Sequence, residues 1–215
     1  MSDVISAPNI QPRPLRLGDR APDFQARTTK GPVRLSDYRG RWVMLFSHPA
    51  DFTPVCTTEF VALAKAYEAF EALDCALLGL SVDSLYAHLA WIEAVRVHFG
   101  VTISFPLIED PSMAIARAYG MIEPEDQGSA GVRASFFIDP EGVVRAITSY
   151  PMSVGRSVPE MLRIVAALQR TAAGDVLAPA DWQPGAPLLR PVSETQEEAL
   201  AAGENWFCRS VADRA

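Results

Sequence analysis

Ser47-His48-Pro49-Ala50-Asp51-Phe52-Thr53-Pro54-Val55-Cys56-Thr57-Thr58-Glu59-Phe60 joins two segments of different period. Before and into it, Val43-Met44-Leu45-Phe46 is a short apolar run bounded by polar and turn residues, the pattern of a buried strand. After it, Phe60, Leu63, Tyr67, Phe70 and Leu73 recur at spacings of three and four and predict a helix with one apolar stripe on the core. The stretch is therefore a strand-to-helix junction. Thr53-Pro54 has the form of a helix start, a hydroxyl to cap free backbone N–H groups and then a residue whose fixed φ suits the first helical position. With Thr53 as the cap, Cys56 falls at the third helical position. Unpaired N–H groups and the positive end of the helix dipole there favour thiolate over thiol. A free cysteine is more often an apolar filler. A capping Thr, two prolines in the approach, and His48 and Glu59 close by mark this one as a nucleophile.

Downstream, Cys75-Ala-Leu-Leu-Gly-Leu-Ser-Val82 is a continuous apolar run, as expected for a parallel strand covered on both faces, and it places Cys75 in the core. Asp83-Ser84 opens a second helix with Leu85, Leu89, Ile92 and Phe99 on its apolar side, and Gly100 ends it where a left-handed residue is wanted. Ile103 to Ile108 predicts another strand, Met113 to Tyr119 a short helix, and Glu123 to Gly131 a loop. Two hairpins are predicted, one around Lys30-Gly31 and one around Asp139-Pro-Glu-Gly142. Ser157-Val-Pro-Glu160 has capping-box spacing and opens a helix striped by Met161, Ile164, Val165 and Leu168. Strands interleaved with helices and flanked by hairpins describe an α/β domain, a mixed central sheet with helices on both faces.

Residues 1 to 16 read as an extended arm, and this part of the chain forms the main domain, 1–173, with the elements above. The proline-dense stretch 174 to 192 reads as a linker. Ser193-Glu-Thr-Gln196 then opens a short helix by its capping-box spacing, and Asn205-Trp-Phe-Cys-Arg209 reads as a strand-like aromatic patch. A segment as short as 174–215 buries little surface alone, so it is expected to pack on another body.

A hydrophobic content of 49% in 215 residues suffices for a packed core, and a net charge of −7 argues against nucleic acid and anionic membrane surfaces as partners. The N-terminus has neither a basic nor an apolar targeting region, and no apolar stretch approaches a membrane span, so a cytoplasmic protein is expected. Cys56, Cys75 and Cys208 are widely spaced, which suggests neither a disulfide framework nor a zinc site. His48, His88 and His98 form no ligand pattern with them. No metal and no cofactor is expected.

Residues 49 to 59, Pro-Ala-Asp-Phe-Thr-Pro-Val-Cys-Thr-Thr-Glu, resemble the active-site signature of the peroxiredoxins, and His48 with Pro54-Val-Cys-Thr-Thr points to the one-cysteine, peroxiredoxin-6-like branch. Similar patterns recur in Phe105-Pro-Leu-Ile-Glu-Asp110, Arg133-Ala-Ser-Phe-Phe-Ile-Asp-Pro140, Tyr150-Pro-Met-Ser-Val-Gly-Arg156 and Asn205-Trp-Phe-Cys208, so the resemblance runs from about Leu17 onward. It implies a thioredoxin-like fold with a small C-terminal dimerisation segment. It also implies a thiol-specific peroxidase in which Cys56 is oxidised to sulfenic acid by hydrogen peroxide or an organic hydroperoxide and recycled by a thioredoxin-like or small thiol reductant. By the same resemblance Arg133 and Arg156 face the thiolate, Thr53 contacts peroxide or sulfur, Pro49 shields the sulfur from water, and Glu59 orients an arginine. His48 is assigned to positioning the cysteine or the substrate. A homodimer or a higher ring oligomer is implied, with the C-terminal segment on the second subunit. The branch includes members with a lipase-like serine one residue before the tryptophan matching Trp42; here that residue is Arg41, and the activity is not carried over.

Cys208 is either a buried cysteine of the tail or a resolving thiol for the other subunit's Cys56. A redox sensor or holdase using Cys56 as a switch is the alternative to a peroxidase. A disulfide oxidoreductase would show Cys-x-x-Cys at this helix start, and no such spacing is present.

Overall fold

The computed structural model describes residues 14–122 and 132–213. The N-terminal arm, up to residue 13, and the acidic loop expected at 123–131 lie outside the described residues. Within them run a hairpin of β1 (Gln25–Thr28) and β2 (Gly31–Arg34), a 3-10 turn (Leu35–Tyr38), β3 (Trp42–Ser47) and α1 (Pro54–Ala72). Next come β4 (Cys75–Ser81), α2 (Leu85–Phe99), β5 (Leu107–Glu109), α3 (Ala114–Ala118), a second hairpin of β6 (Arg133–Ile138) and β7 (Val144–Tyr150), and α4 (Val158–Thr171). The tail adds β8 (Leu188–Leu189), α5 (Gln196–Ala202) and β9 (Ser210–Val211).

Seven strands form one mixed sheet in the order β2-β1-β5-β4-β3-β6-β7. β3 runs parallel to β4 and antiparallel to β6, and β4 runs parallel to β5. The hairpins occupy the two edges, as the sequence predicts. Because strand side chains alternate between faces, Met44 and Phe46 point to one side and Val43 and Leu45 to the other. Met44, Phe46, Leu77, Leu107 and Phe137 pack under α1, α2 and α4 through Phe60, Leu63, Trp91, Val95, Met161 and Val165. Val43, Leu45, Leu78, Ile108 and Phe136 pack under Leu35 of the 3-10 turn and under Ile115 and Ala116 of α3. All seven residues of β4 are buried, which accounts for its unbroken apolar run.

Five sequence expectations are corrected. On α2 the buried face is His88, Trp91 and Val95, while Leu89 and Phe99 are exposed. The buried face carries a histidine, and a count of apolar residues passes over it. The strand expected from Ile103 shortens to Leu107–Glu109; Ile103 and Phe105 are buried as core residues of an irregular approach. The proline-dense 174–192 stretch is no loose linker, because Val176, Trp182 and Leu188 are buried against Ala166 of α4 and Leu177 bridges Leu189. In the tail, Thr195 rather than Ser193 caps α5 by accepting from the Glu198 N–H, and 205–208 is a turn preceding β9 rather than a strand. Among the described residues, no helix is long and apolar enough to cross a membrane.

The seat of α1 on the sheet depends on Gly79 in the middle of β4. A Cβ added there would lie 3.3 Å from Phe46 Cζ, 3.4 Å from Phe60 Cζ and 3.6 Å from Leu107 Cγ. Two aromatic rings thus occupy the space a side chain would take. Gly79→Val is expected to overpack this layer and lower stability by about 2 kcal/mol, read as a lower urea midpoint; an unchanged midpoint would show that α1 is not seated through these rings.

Candidate active site

The junction folds as its residues dictate, with one difference in chemistry. Thr53 is extended (φ −97, ψ 147) and Pro54 takes the first helical position, so α1 starts where the sequence places it. The Thr53 hydroxyl makes no capping bond. It donates instead to the Ala50 carbonyl at 2.8 Å, closing the turn before the helix, while the Thr53 carbonyl accepts from the N–H and hydroxyl of Thr57. The first turn of α1 therefore keeps N–H groups that no side chain caps. Cys56 lies in that turn and is fully buried.

Arg133 and Glu59 surround the sulfur. Arg133 Nη1 donates to Cys56 Sγ at 3.3 Å and to Glu59 Oε2 at 2.9 Å, and its Nε and Nη2 both donate to the Met152 carbonyl. The fork is fixed at both ends, so the guanidinium is held against the sulfur. Arg156 stands behind Glu59: its backbone N–H and Nε donate to Oε1, Nη2 donates to Oε2, and Nη1 donates to the Ala134 carbonyl and Ser135 Oγ. Its guanidinium also lies 5.2 Å over the Phe46 ring. The structure brings both arginines to the site, and of the two it is Arg133 that bonds the sulfur. Arg156 acts on Glu59. Burial alone would push the Glu59 carboxyl up, and Arg156 first and Arg133 second outweigh it and hold it below the usual carboxylate range.

His48 and Pro49 are buried at the end of β3. His48 Nε2 meets Asp51 Oδ1 at 2.8 Å, His88 Nδ1 meets Asp51 Oδ2 at 2.7 Å, and His88 Nε2 meets the Ile108 carbonyl at 3.2 Å. Neither Asp51 nor His88 is legible as a site residue in the sequence, because their contact is a product of tertiary packing across 37 positions. The only hint is a histidine inside an otherwise apolar helix face. His48, Asp51 and His88 are also the group that could hold a metal ion among the described residues. Donors shared by one zinc at about 2.1 Å stand roughly 3.3 Å apart in a tetrahedron, whereas these contacts have hydrogen-bond lengths. In this structure Asp51 joins the two histidines through hydrogen bonds.

The remaining cysteines differ sharply. Cys75 is buried in β4, and burial pushes its thiol up to about 12, as expected of a core residue. Cys208 is exposed, so the buried-tail alternative does not hold within a single chain. Arg41, at the lipase-serine position, is held by Glu71 at 2.6 Å and Asp74 at 2.9 Å.

Burial, with His88 adding to it, lowers the affinity of His48 for a proton against the opposing pull of Asp51. Its folded value thus lies below the unfolded one, near ~6.5. The stability contributed by neutral His48 is complete above that value and is lost as pH falls below it. Asp51 is held below its ordinary value: burial would raise it, and the bonds from His48 and His88 outweigh that. Its contribution and that of Glu59 are lost at lower pH, below the unfolded carboxylate values near ~4. The urea midpoint should therefore fall in two stages on acidification from pH 7.5, the first beginning near ~6.5. A midpoint constant down to pH 5 would contradict the burial of a neutral His48.

Comparison with known proteins gives one answer over most of the chain. The pattern described as AhpC/TSA family matches residues 17–147, and that described as C-terminal domain of 1-Cys peroxiredoxin matches residues 167–203. A protein named Peroxiredoxin 2 from Caldanaerobacter subterraneus subsp. tengcongensis is 51% identical over 183 residues, covering 85% of this chain and 83% of its own. One named Peroxiredoxin from Thermoplasma volcanium is 46% identical over 203 residues, covering 92% and 99%. Among solved structures, a yeast mitochondrial 1-Cys peroxiredoxin superimposes with a TM-score of 0.84 at 37% identity, covering 93% of this chain and 100% of that one. Peroxiredoxin 6 of Arenicola marina does so with 0.83 at 32% identity, covering 94% and 100%. With its thioredoxin-like sheet and its one-cysteine type of tail both matched, the chain belongs to the peroxiredoxins, thiol-dependent peroxidases of the AhpC/TSA family.

Proposed function

We propose that Cys56 is the peroxidatic nucleophile, and that it reduces hydrogen peroxide and organic hydroperoxides. The observation that carries this is the Arg133 guanidinium 3.3 Å from Cys56 Sγ in a fully buried helix-start turn. Two buried guanidinium groups and one carboxylate leave one positive charge over, and a thiolate at Cys56 is the anion that matches it. The thiolate attacks the terminal peroxide oxygen, the S–O bond forms as O–O breaks, and the alkoxide or hydroxide leaves and takes up a proton. The products are an alcohol or water and Cys56 sulfenic acid. In this reading Arg133 stabilises the charge moving from sulfur to the leaving oxygen. Arg156 and Glu59 hold Arg133 in place, Thr53 and Pro49 shape the approach, and His48 positions the reacting groups.

A thiol reductant returns the sulfenic acid to thiol. In the yeast mitochondrial 1-Cys peroxiredoxin thiol resolution proceeds via glutathione and thioredoxin systems, and a reductant of this class is proposed here. The tail, 174–215, is proposed to pack on a second subunit, giving a homodimer that can assemble further into a ring. Its support is apolar exposure: α5 buries none of its residues, and Leu200, Trp206 and Phe207 face outward. A cytoplasmic location is part of the same proposal.

Cys56→Ser is expected to fold and to lose peroxide consumption in the presence of dithiothreitol, leaving no more than a trace. Substantial turnover by that variant would remove Cys56 from its role. Arg133→Met should slow Cys56 oxidation about a hundredfold, the size of one lost preorganised donor, and Arg156→Met should act less because its contacts are to Glu59. Equal rates in wild type and Arg133→Met would reduce Arg133 to a structural charge.

The exposed Cys208 is proposed to resolve the partner's Cys56 by condensing with its sulfenic acid, releasing water and forming an intersubunit disulfide. Because Cys56 is fully buried, the first turn of α1 must open to bring the Cα atoms within about 7 Å. One equivalent of hydrogen peroxide should then give a covalent dimer on non-reducing electrophoresis, absent in Cys208→Ser. Monomer carrying only sulfenic or sulfinic acid would return the protein to one-cysteine chemistry.

A further inference from the structure

The loop between β3 and α1 is held from three sides at one residue, Asp51, through its carboxylate and its backbone N–H. Asp51 accepts from His48 Nε2 and His88 Nδ1, and its own backbone N–H donates to Asp83 Oδ2 at 2.9 Å. Asp83 Oδ2 in turn accepts from the Ser81 hydroxyl at 2.7 Å, and His88 Nε2 reaches the Ile108 carbonyl. Asp51 thus links the end of β3 to the end of β4, to α2 and to β5. The side chains of His48, Asp51 and His88 are at most 1% exposed, so none of these bonds competes with water. Phe52, the next residue, has left-handed backbone (φ 57) although the residue is 61% exposed. A phenylalanine keeps that conformation only where its surroundings impose it, at a cost of order 1 kcal/mol.

The consequence for His48 is specific. A carboxylate only accepts, so the nitrogen facing Asp51 Oδ1 is Nε2–H, and Nδ1 carries the lone pair. Nδ1 is buried and has no hydrogen-bond partner. The ring stacks on Trp91 at 5.3 Å and meets the edge of Phe60 at 4.8 Å. Both rings support the start of α1: Phe60 lies one turn beyond Cys56 on the same helix, and Trp91 Nε1 donates to Thr57 Oγ1, next to the sulfur's own residue.

We infer that Asp51 and His88, outside the sulfur's contacts, are positioning residues for the peroxidatic reaction, which fix His48 as a single tautomer and fasten the Cys56 turn through Phe60 and Trp91. This rests on the assignment of Cys56 above. The groups facing His48 are Asp51 and Asp83 from its own loop and the turn after β4, and His88 from α2. They act together, and His88 is the member contributed by a separate helix.

The chain has three histidines, so their ring nitrogens can be followed individually by long-range proton–nitrogen NMR. The reduced wild type should show His48 as one Nε2–H species, and a wild type with His48 as the Nδ1–H species would overturn the inference. Oxidation of Cys56 by one equivalent of hydrogen peroxide is then followed by mass spectrometry from pH 6 to 9, with urea midpoints measured alongside. His88→Leu and Asp51→Leu should slow oxidation of the folded protein about tenfold, as removal of a partner that orients a working imidazole does. His88→Gln, whose amide can donate to Asp51 as Nδ1–H does, should regain at least half of that loss. Leucine variants that lose stability yet oxidise within twofold of wild type would show a merely structural network. Should they fail to fold, Asp51→Asn decides: it keeps the shape but turns one acceptor into a donor, so the pH profile of oxidation must change, and an unchanged profile overturns the inference. The NMR result does not depend on Cys56 chemistry. Unmodified Cys56 in oxidised wild type would instead refute the Cys56 assignment, and the positioning role with it.

Discussion

The carboxylate of Glu59 lies between two guanidinium groups, with side chains of 3% exposure or less on all three residues. Removing it would leave two positive charges facing each other in a region nearly free of water, where breaking a buried pair costs about 3–5 kcal/mol. Its reach is wide because its partners come from far apart in sequence. Arg133 begins β6 and Arg156 precedes α4, so one side chain on α1 joins three elements and fixes where the Cys56 sulfur lies. The proposed nucleophile depends on a charge balance that none of these residues could satisfy alone.

The sheet makes that meeting unavoidable. β3 and β4 run parallel and deliver their C-terminal ends, with His48 and Ser81, to one edge of the sheet. Antiparallel pairing of β6 with β3, with Phe46 opposite Ser135, brings the start of β6 to the same edge, and Arg133 with it. Ligands of open α/β sheets gather at the carboxyl ends of parallel strands for this reason. Gly79 then lets α1 lie close enough for Cys56 to meet the arginine and for Phe60, one turn on, to meet the histidine.

The tail follows another rule. Its first part, through Val176, Trp182 and Leu188, is anchored on α4, and the β8–β9 pair ties its end back to that anchor. Between them α5 and the Trp206–Phe207 pair leave apolar surface uncovered, which is costly for a chain that remains alone.

Local chemistry is readable from the chain. The Thr53-Pro54 start, Cys56 three residues on, the apolar strand before it, both edge hairpins and the Gly100 stop each follow from short-range preferences, and all appear where the sequence puts them. The peroxiredoxin motifs add Arg133, Arg156 and Glu59, and the fold brings them together. What the sequence leaves undetermined involves partners distant along the chain. The Thr53 hydroxyl is free to cap α1 and instead closes the preceding turn on Ala50. Periodicity misplaces the face of α2 because His88 is buried by pairing with Asp51, a contact no periodicity encodes. The division of labour between the arginines, Arg133 on the sulfur and Arg156 on Glu59, is decided only when antiparallel β6 and the approach to α4 set their distances from α1. Short-range sterics and capping act within one turn or one strand and survive in a linear reading; buried charges choose their partners in three dimensions, and only the packed chain shows which they took.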